Sequence, residues 1–95
     1  MQITKRKPSY EFAKIFFDRF PKHTGIAINE DVLAEIKASM SMTEPYRKID
    51  NKGRDSEYFT FRLCGVLVTI VCDAENHKIL TGIIETHERP QFRKL

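Results

Sequence analysis

Residues 57–72, Glu-Tyr-Phe-Thr-Phe-Arg-Leu-Cys-Gly-Val-Leu-Val-Thr-Ile-Val-Cys, decide the fold. Phe59, Phe61 and Leu63 alternate with Tyr58, Thr60 and Arg62; beyond Cys64-Gly65, Val66, Val68 and Ile70 alternate with Leu67, Thr69 and Val71. A side-chain period of two marks a strand with one dry and one wet face. Cys64-Gly65 is read as a two-residue hairpin turn, with Cys where Asn or Asp is favoured. In that register Leu63 opposes Val66, Phe61 opposes Val68 and Phe59 opposes Ile70, so pattern and turn agree.

Working outward, Asp73 to His77 reads as a second turn and Lys78 to Glu85 as a third strand carrying Ile79, Leu80, Ile83 and Ile84. Tyr46 to Asp50 reads as a fourth strand at one edge, joined to the hairpin through Lys52-Gly53-Arg54-Asp55. Upstream, Phe12, Ile15, Phe16 and Phe20 recur at helical spacing and predict a helix from about Ser9 to Arg19 that Pro21 stops. Ile28 to Leu33 predicts a second helix start, with Asn29 as N-cap, Glu30 and Asp31 opposing the dipole, and Ile28 stapled to Leu33. Val32, Leu33, Ile36 and Met40 form its buried stripe, and Ser39 to Pro45 ends it. The expected architecture is α+β, with two N-terminal helices packed on a three- to four-stranded antiparallel sheet. It forms one domain over residues 1–95, with basic tails at 1–8 and 87–95.

The 95 residues, 41% hydrophobic and 31% charged, suit one core of modest stability. Cys64 and Cys72 stand on strands about 26 Å apart if the chain between them is extended, too far for a bridge. Both are expected as free thiols in a reducing compartment. The basic start lacks the apolar run of a secretory signal, and Val66 to Cys72 is too short to span a membrane, so a cytoplasmic protein is expected. Positive charge collects in residues 1–22, 46–56 and 87–95, while 23–45 and 57–86 are net negative. Basic clusters of this kind meet phosphate or an acidic protein, although solvated tails are the commoner case.

The wet face of the hairpin presents Tyr58, Thr60, Arg62 and Thr69, with Arg62 as the best single anion contact. Arg47, Lys48, Lys52 and Arg54 surround Gly53 beside Tyr46 and Tyr58, the combination of cations and rings that holds single-stranded nucleic acid. The bland alternative is a solvated loop whose charge Asp50 and Asp55 halve. His23, His77 and His87 have no metal-site spacing, so no metal is expected, and no motif calls for a cofactor. An Asp73–His77 hydrogen bond is expected as turn structure rather than as a catalytic pair. His23 and His87 titrate in the range of a general acid or base, but are more often plain loop residues. Neither cysteine has an activating His beside it in sequence.

Phe16 to His23, Ile26 to Ile36, Phe59 to Phe61, Gly65 to Asp73 and the run Ile79-Leu80-Thr81-Gly82-Ile83 together give the order helix, helix, sheet, with a Thr-Gly pair in the last strand. That order is similar to the small RelE-like and BrnT-like toxin superfamily over about residues 12–86. The resemblance implies metal-independent RNA cleavage, with Arg19, His23, Arg62 and Thr81 as candidate catalytic residues and His87 as a further one.

Two functional classes therefore stand. In one the protein is a non-catalytic module that binds an acidic protein or RNA through its basic patches. In the other it is a ribonuclease of toxin type. The absence of a catalytic spacing favours the first, and an exposed strand edge leaves a homodimer open.

Overall fold

A computed structural model describes residues 9–85. The chain runs β1 (Glu11–Phe12), α1 (Lys14–Thr24), α2 (Glu30–Ser41), β2 (Tyr46–Ile49), β3 (Asp55–Leu63), β4 (Val66–Asp73) and β5 (Lys78–Ile84). The class is α+β with two helices, as expected. The sheet is larger than expected and mixed: it has five strands in the order β1-β5-β4-β3-β2, with β1 parallel to β5 and the other pairs antiparallel.

The central hairpin has the register that the alternation dictates, with Leu63 opposite Val66, Phe61 opposite Val68 and Phe59 opposite Ile70. Its turn places Cys64 at φ 53° and Gly65 at φ 81°. Positive φ at both central positions matches the twist of the flanking strands, and Gly takes it without steric cost. Leu63, Val68 and Ile70 are fully buried. Arg62 is exposed, on the opposite face.

Between β4 and β5 the pairing slips: Cys72 opposes Ile79 but Val71 opposes Thr81, which leaves Leu80 as the extra residue of a bulge. The bulge changes the parity of β5, so Ile79 and Gly82, three apart, both lie opposite core-facing residues. A Cβ on Gly82 would stand 2.8 Å from the Phe20 ring and 3.0 Å from Ile70. Gly82 is thus a point of close approach between α1 and the sheet.

Two expectations about the N-terminal region are corrected. The helix begins at Lys14 rather than Ser9, because Glu11 and Phe12 pair with Lys78 and Ile79. The Glu11 N–H donates to the His77 carbonyl at 3.0 Å and the Ala13 N–H to the Ile79 carbonyl at 2.9 Å. Nor does Pro21 end the helix, which continues to Thr24 and closes on Gly25 at φ 75°, whose N–H donates to the Pro21 carbonyl at 2.7 Å. A proline one turn from the end forfeits a single backbone bond, to the Phe17 carbonyl. Phe16 and Phe20, stacked 4.9 Å apart and fully buried, anchor the turns of the helix that lead into Pro21.

In α2 the Asn29 side chain accepts from the Val32 N–H at 2.9 Å, the N-cap read from sequence. Val32, Ile36 and Met40 are its buried stripe, with Leu33 partly buried against the core. α1 lies over β5 and α2 over β3, so both helices cover one face of the sheet. Phe16, Phe20, Ile36, Met40, Phe59, Leu63, Val68, Ile70, Cys72 and Ile79 fill the space between. Burial pushes the Cys72 thiol up to about 12, which keeps it protonated and unreactive. Among the described residues no helix is long and apolar enough to cross a membrane.

Candidate functional site

The face of the sheet turned away from the helices is built by β2, β3 and β4. In register Tyr46 stands opposite Tyr58, Tyr58 opposite Val71, Thr60 opposite Thr69 and Arg62 opposite Leu67. The rings of Tyr46 and Tyr58 are 6.1 Å apart and tilted by 45°, and Tyr46 is 64% exposed. Alternation along β2 and β3 brings Lys48, Tyr46, Tyr58, Thr60 and Arg62 onto this one face. Among the described residues neither Lys48 nor Arg62 meets a carboxylate.

Thr69, on this outer face, is the one buried polar residue among the described residues, 1% exposed. Its hydroxyl is shared with Thr60 Oγ1 at 2.8 Å and donates to Glu85 Oε2 at 2.7 Å. These bonds meet the cost of burying a hydroxyl and fix Thr60 beside Tyr58 and Arg62.

The basic loop is more tightly built than a solvated tail. Asp50 organises it: its Oδ1 accepts from the Lys52 N–H at 2.9 Å and the Arg54 N–H at 2.8 Å, and Gly53 takes φ 81°. These backbone donors, that of Arg54 first, hold the Asp50 carboxyl below its ordinary range. Two of the four cations are then neutralised within the loop region. Arg54 Nε donates to Asp50 Oδ2 at 3.2 Å, and Arg47 Nε donates to Asp55 at 3.0 Å, keeping the Asp55 carboxyl low as well. Arg47 also stands opposite Glu57, a residue of the helix side. Of the expected basic cluster, Lys48 and Lys52 meet no carboxylate among the described residues, and of these Lys48 belongs to the outer face.

The residues that the toxin resemblance implied are split. His23, one turn beyond Arg19 on α1, has its Nδ1 2.9 Å from Thr81 Oγ1, which brings these three to the β5 side of the sheet. Thr81 is opposite Val71 and Val71 opposite Tyr58, so Arg62 lies two strands across and four residues along β3. Strand spacing and rise make that about 16 Å. His87 and the basic tails lie outside the described residues. His77 does not bond to Asp73; Asn76 takes that carboxylate at 2.9 Å and holds it below its usual range, while the His77 ring stands edge-on to Tyr10 at 5.3 Å.

Tyr10 and Glu57 were not singled out from sequence, yet they meet on the helix side, where the Tyr10 hydroxyl donates to Glu57 Oε1. The signal was present for Glu57, a carboxylate at the parity of Phe59 and Phe61. Among the described residues no group of three His, Cys, Asp or Glu side chains is placed to hold a metal. No protein-family model, curated protein or solved structure matches the chain.

Proposed function

We propose that the protein is a non-catalytic binding module that takes single-stranded RNA on the outer face of its sheet. What supports this reading is a single arrangement: the tilted Tyr46–Tyr58 pair, half in solvent, with Lys48 and Arg62 on the same face and unmatched by carboxylates. Exposed rings stack bases, and unpaired cations beside them neutralise phosphates. The Thr60 hydroxyl between ring and guanidinium, its proton given to Thr69, adds an acceptor for a base edge or a 2′-hydroxyl.

The test is fluorescence anisotropy of a labelled single-stranded RNA against wild type, Tyr46→Ala and Arg62→Ala over a salt series. The account predicts binding that weakens with salt, by a slope of roughly −0.7 per phosphate neutralised. Tyr46→Ala should weaken it by about 1–3 kcal/mol, the worth of one stacked base. Affinity indifferent to salt or to both substitutions overturns the reading. Capture of an acidic protein from nuclease-treated lysate through the same residues, without RNA binding, replaces RNA by that partner.

A second reading, a metal-independent endoribonuclease, draws on the His23–Thr81 contact with Arg19 one turn away. It requires RNA cleavage and growth arrest that His23→Ala abolishes without unfolding the protein. Harmless expression of the wild type removes it.

A further inference from the structure

On the opposite side of the sheet, between α2, the start of β2, β3 and the segment leading into β1, there is a cavity of about 310 Å3. Its walls include Tyr10, Lys37, Met40, Pro45, Glu57 and Phe59. That volume is at the lower end of the range of small-molecule sites, and the mix of apolar walls with few polar groups is their usual make-up.

Two side chains in these walls carry charge, and they are unequally satisfied. The Lys37 ammonium lies 5.5 Å from the centre of the Phe12 ring, a cation–π contact, and its field helps Lys78 lower the Glu11 carboxyl. Glu57 has one oxygen, Oε1, accepting from Tyr10. Among the described residues its other oxygen accepts no hydrogen bond. Arg47, its cross-strand neighbour, hydrogen-bonds to Asp55 and reaches Glu57 through its field alone. Lys37 is exposed and its ammonium can be met by solvent, so the half-buried charge of the cavity is the Glu57 carboxylate, with one acceptor oxygen open. Tyr10 and Phe59, edge to face at 5.7 Å, stand beside it. A half-buried carboxylate next to aromatic walls is the environment that takes an organic cation, with the ammonium on the carboxylate and the hydrocarbon against the rings.

The geometry points to a binding site for an alkyl- or arylalkyl-ammonium group, held by Glu57 within the walls of Tyr10, Met40 and Phe59. The group is either a small free amine or a lysine side chain of a partner. This site is independent of the outer-face reading, which can fail without it.

The experiment is an amide NMR titration of the full chain with three probes of one shape: phenethylammonium, phenethyl alcohol and phenylacetate. The ammonium should shift the amides of Tyr10, Met40, Glu57 and Phe59, with the alcohol about tenfold weaker or more and phenylacetate inert. That ratio is the scale of losing one charged hydrogen bond. Glu57→Gln keeps an acceptor for Tyr10 and should bring the ammonium down to the level of the alcohol. An N-acetyl-lysine methylamide arm separates the two sources, since it binds as well as the free amine only if the cavity takes a lysine side chain. No shift at the cavity residues, an alcohol as tight as the amine, or preferred binding of phenylacetate overturns the proposal. The comparison of probes uses the wild type and does not depend on how a variant folds.

Discussion

The inner and outer faces of this sheet are made by the same strands, one residue out of phase, and they have opposite physical characters. On the inner face Leu63, Val68, Ile70 and Ile79 have no exposure, and the gap between Gly82 and Phe20 is too small for a methyl group. On the outer face Tyr58, Thr60 and Leu67 are half-buried, Arg62 is exposed, and among the described residues no helix covers them. Fold energy is therefore concentrated on the inner side, where packing is close and substitutions cost stability. The outer side keeps rings and cations that the fold does not consume, which is why it is the side on which binding is argued.

The contrast can be broken most forcefully from inside. Phe20→Ala removes a ring that is fully buried, stacked on Phe16 and seated on Gly82, and should cost about 3–5 kcal/mol in denaturant unfolding. Gly82→Ala pushes a methyl against that same fully buried ring. A loss of roughly 1–3 kcal/mol is expected from overpacking, and the double variant Phe20→Leu with Gly82→Ala should recover part of it. On the outside, Tyr46→Ala and Arg62→Ala should each change stability by about 0.5 kcal/mol or less, because both side chains are exposed and, among the described residues, neither makes a hydrogen bond or ion pair. A large loss from either would mean that the outer face is structural.

The smallest effect is one of pH. The Tyr10 hydroxyl is held above the ordinary range of a phenol by its burial first, and then by the hydrogen bond to Glu57 and that carboxylate's charge. The folded state keeps a proton that the unfolded chain releases near pH 10. The contribution of Tyr10 is thus intact below about pH 10 and lost as the pH rises above it. Melting temperature should fall more steeply above about pH 10 in wild type than in Tyr10→Phe.

The hairpin was legible because two independent signals, a period of two and a Gly-containing turn, demanded the same register. The N-cap at Asn29 was legible for a local reason too, a short acceptor followed by acids. What escaped was non-local. β1 has only two residues, too few to show a period, and exists because β5, far along the chain, offers it a parallel edge. The bulge at Val71/Cys72 breaks the alternation of β5, so the run from Ile79 to Ile84 suggested a strand but hid that Gly82 faces the core. Pro21 carries a strong local stop signal, outweighed here by the burial of Phe16 and Phe20 just before it.

The candidate site divides in the same way. Tyr58, Thr60 and Arg62 follow from strand parity, and the presence of Asp50 and Asp55 in the loop foretold a smaller net charge. Which cations they neutralise, Arg54 and Arg47 rather than Lys48 and Lys52, depends on the geometry of the turn. The cavity beside Glu57 is set by where α2 settles relative to Tyr10, which no local pattern encodes.

The central claim is that the functional surface is the outer face of the sheet, and amide and side-chain NMR of the protein titrated with a single-stranded RNA tests it most directly. The account predicts shifts concentrated at Tyr46, Lys48, Tyr58, Thr60 and Arg62, with Phe59, Leu63 and Ile70 on the same strands little changed. Shifts centred on α1 and Thr81, or none at concentrations where Tyr46 should stack a base, would contradict it.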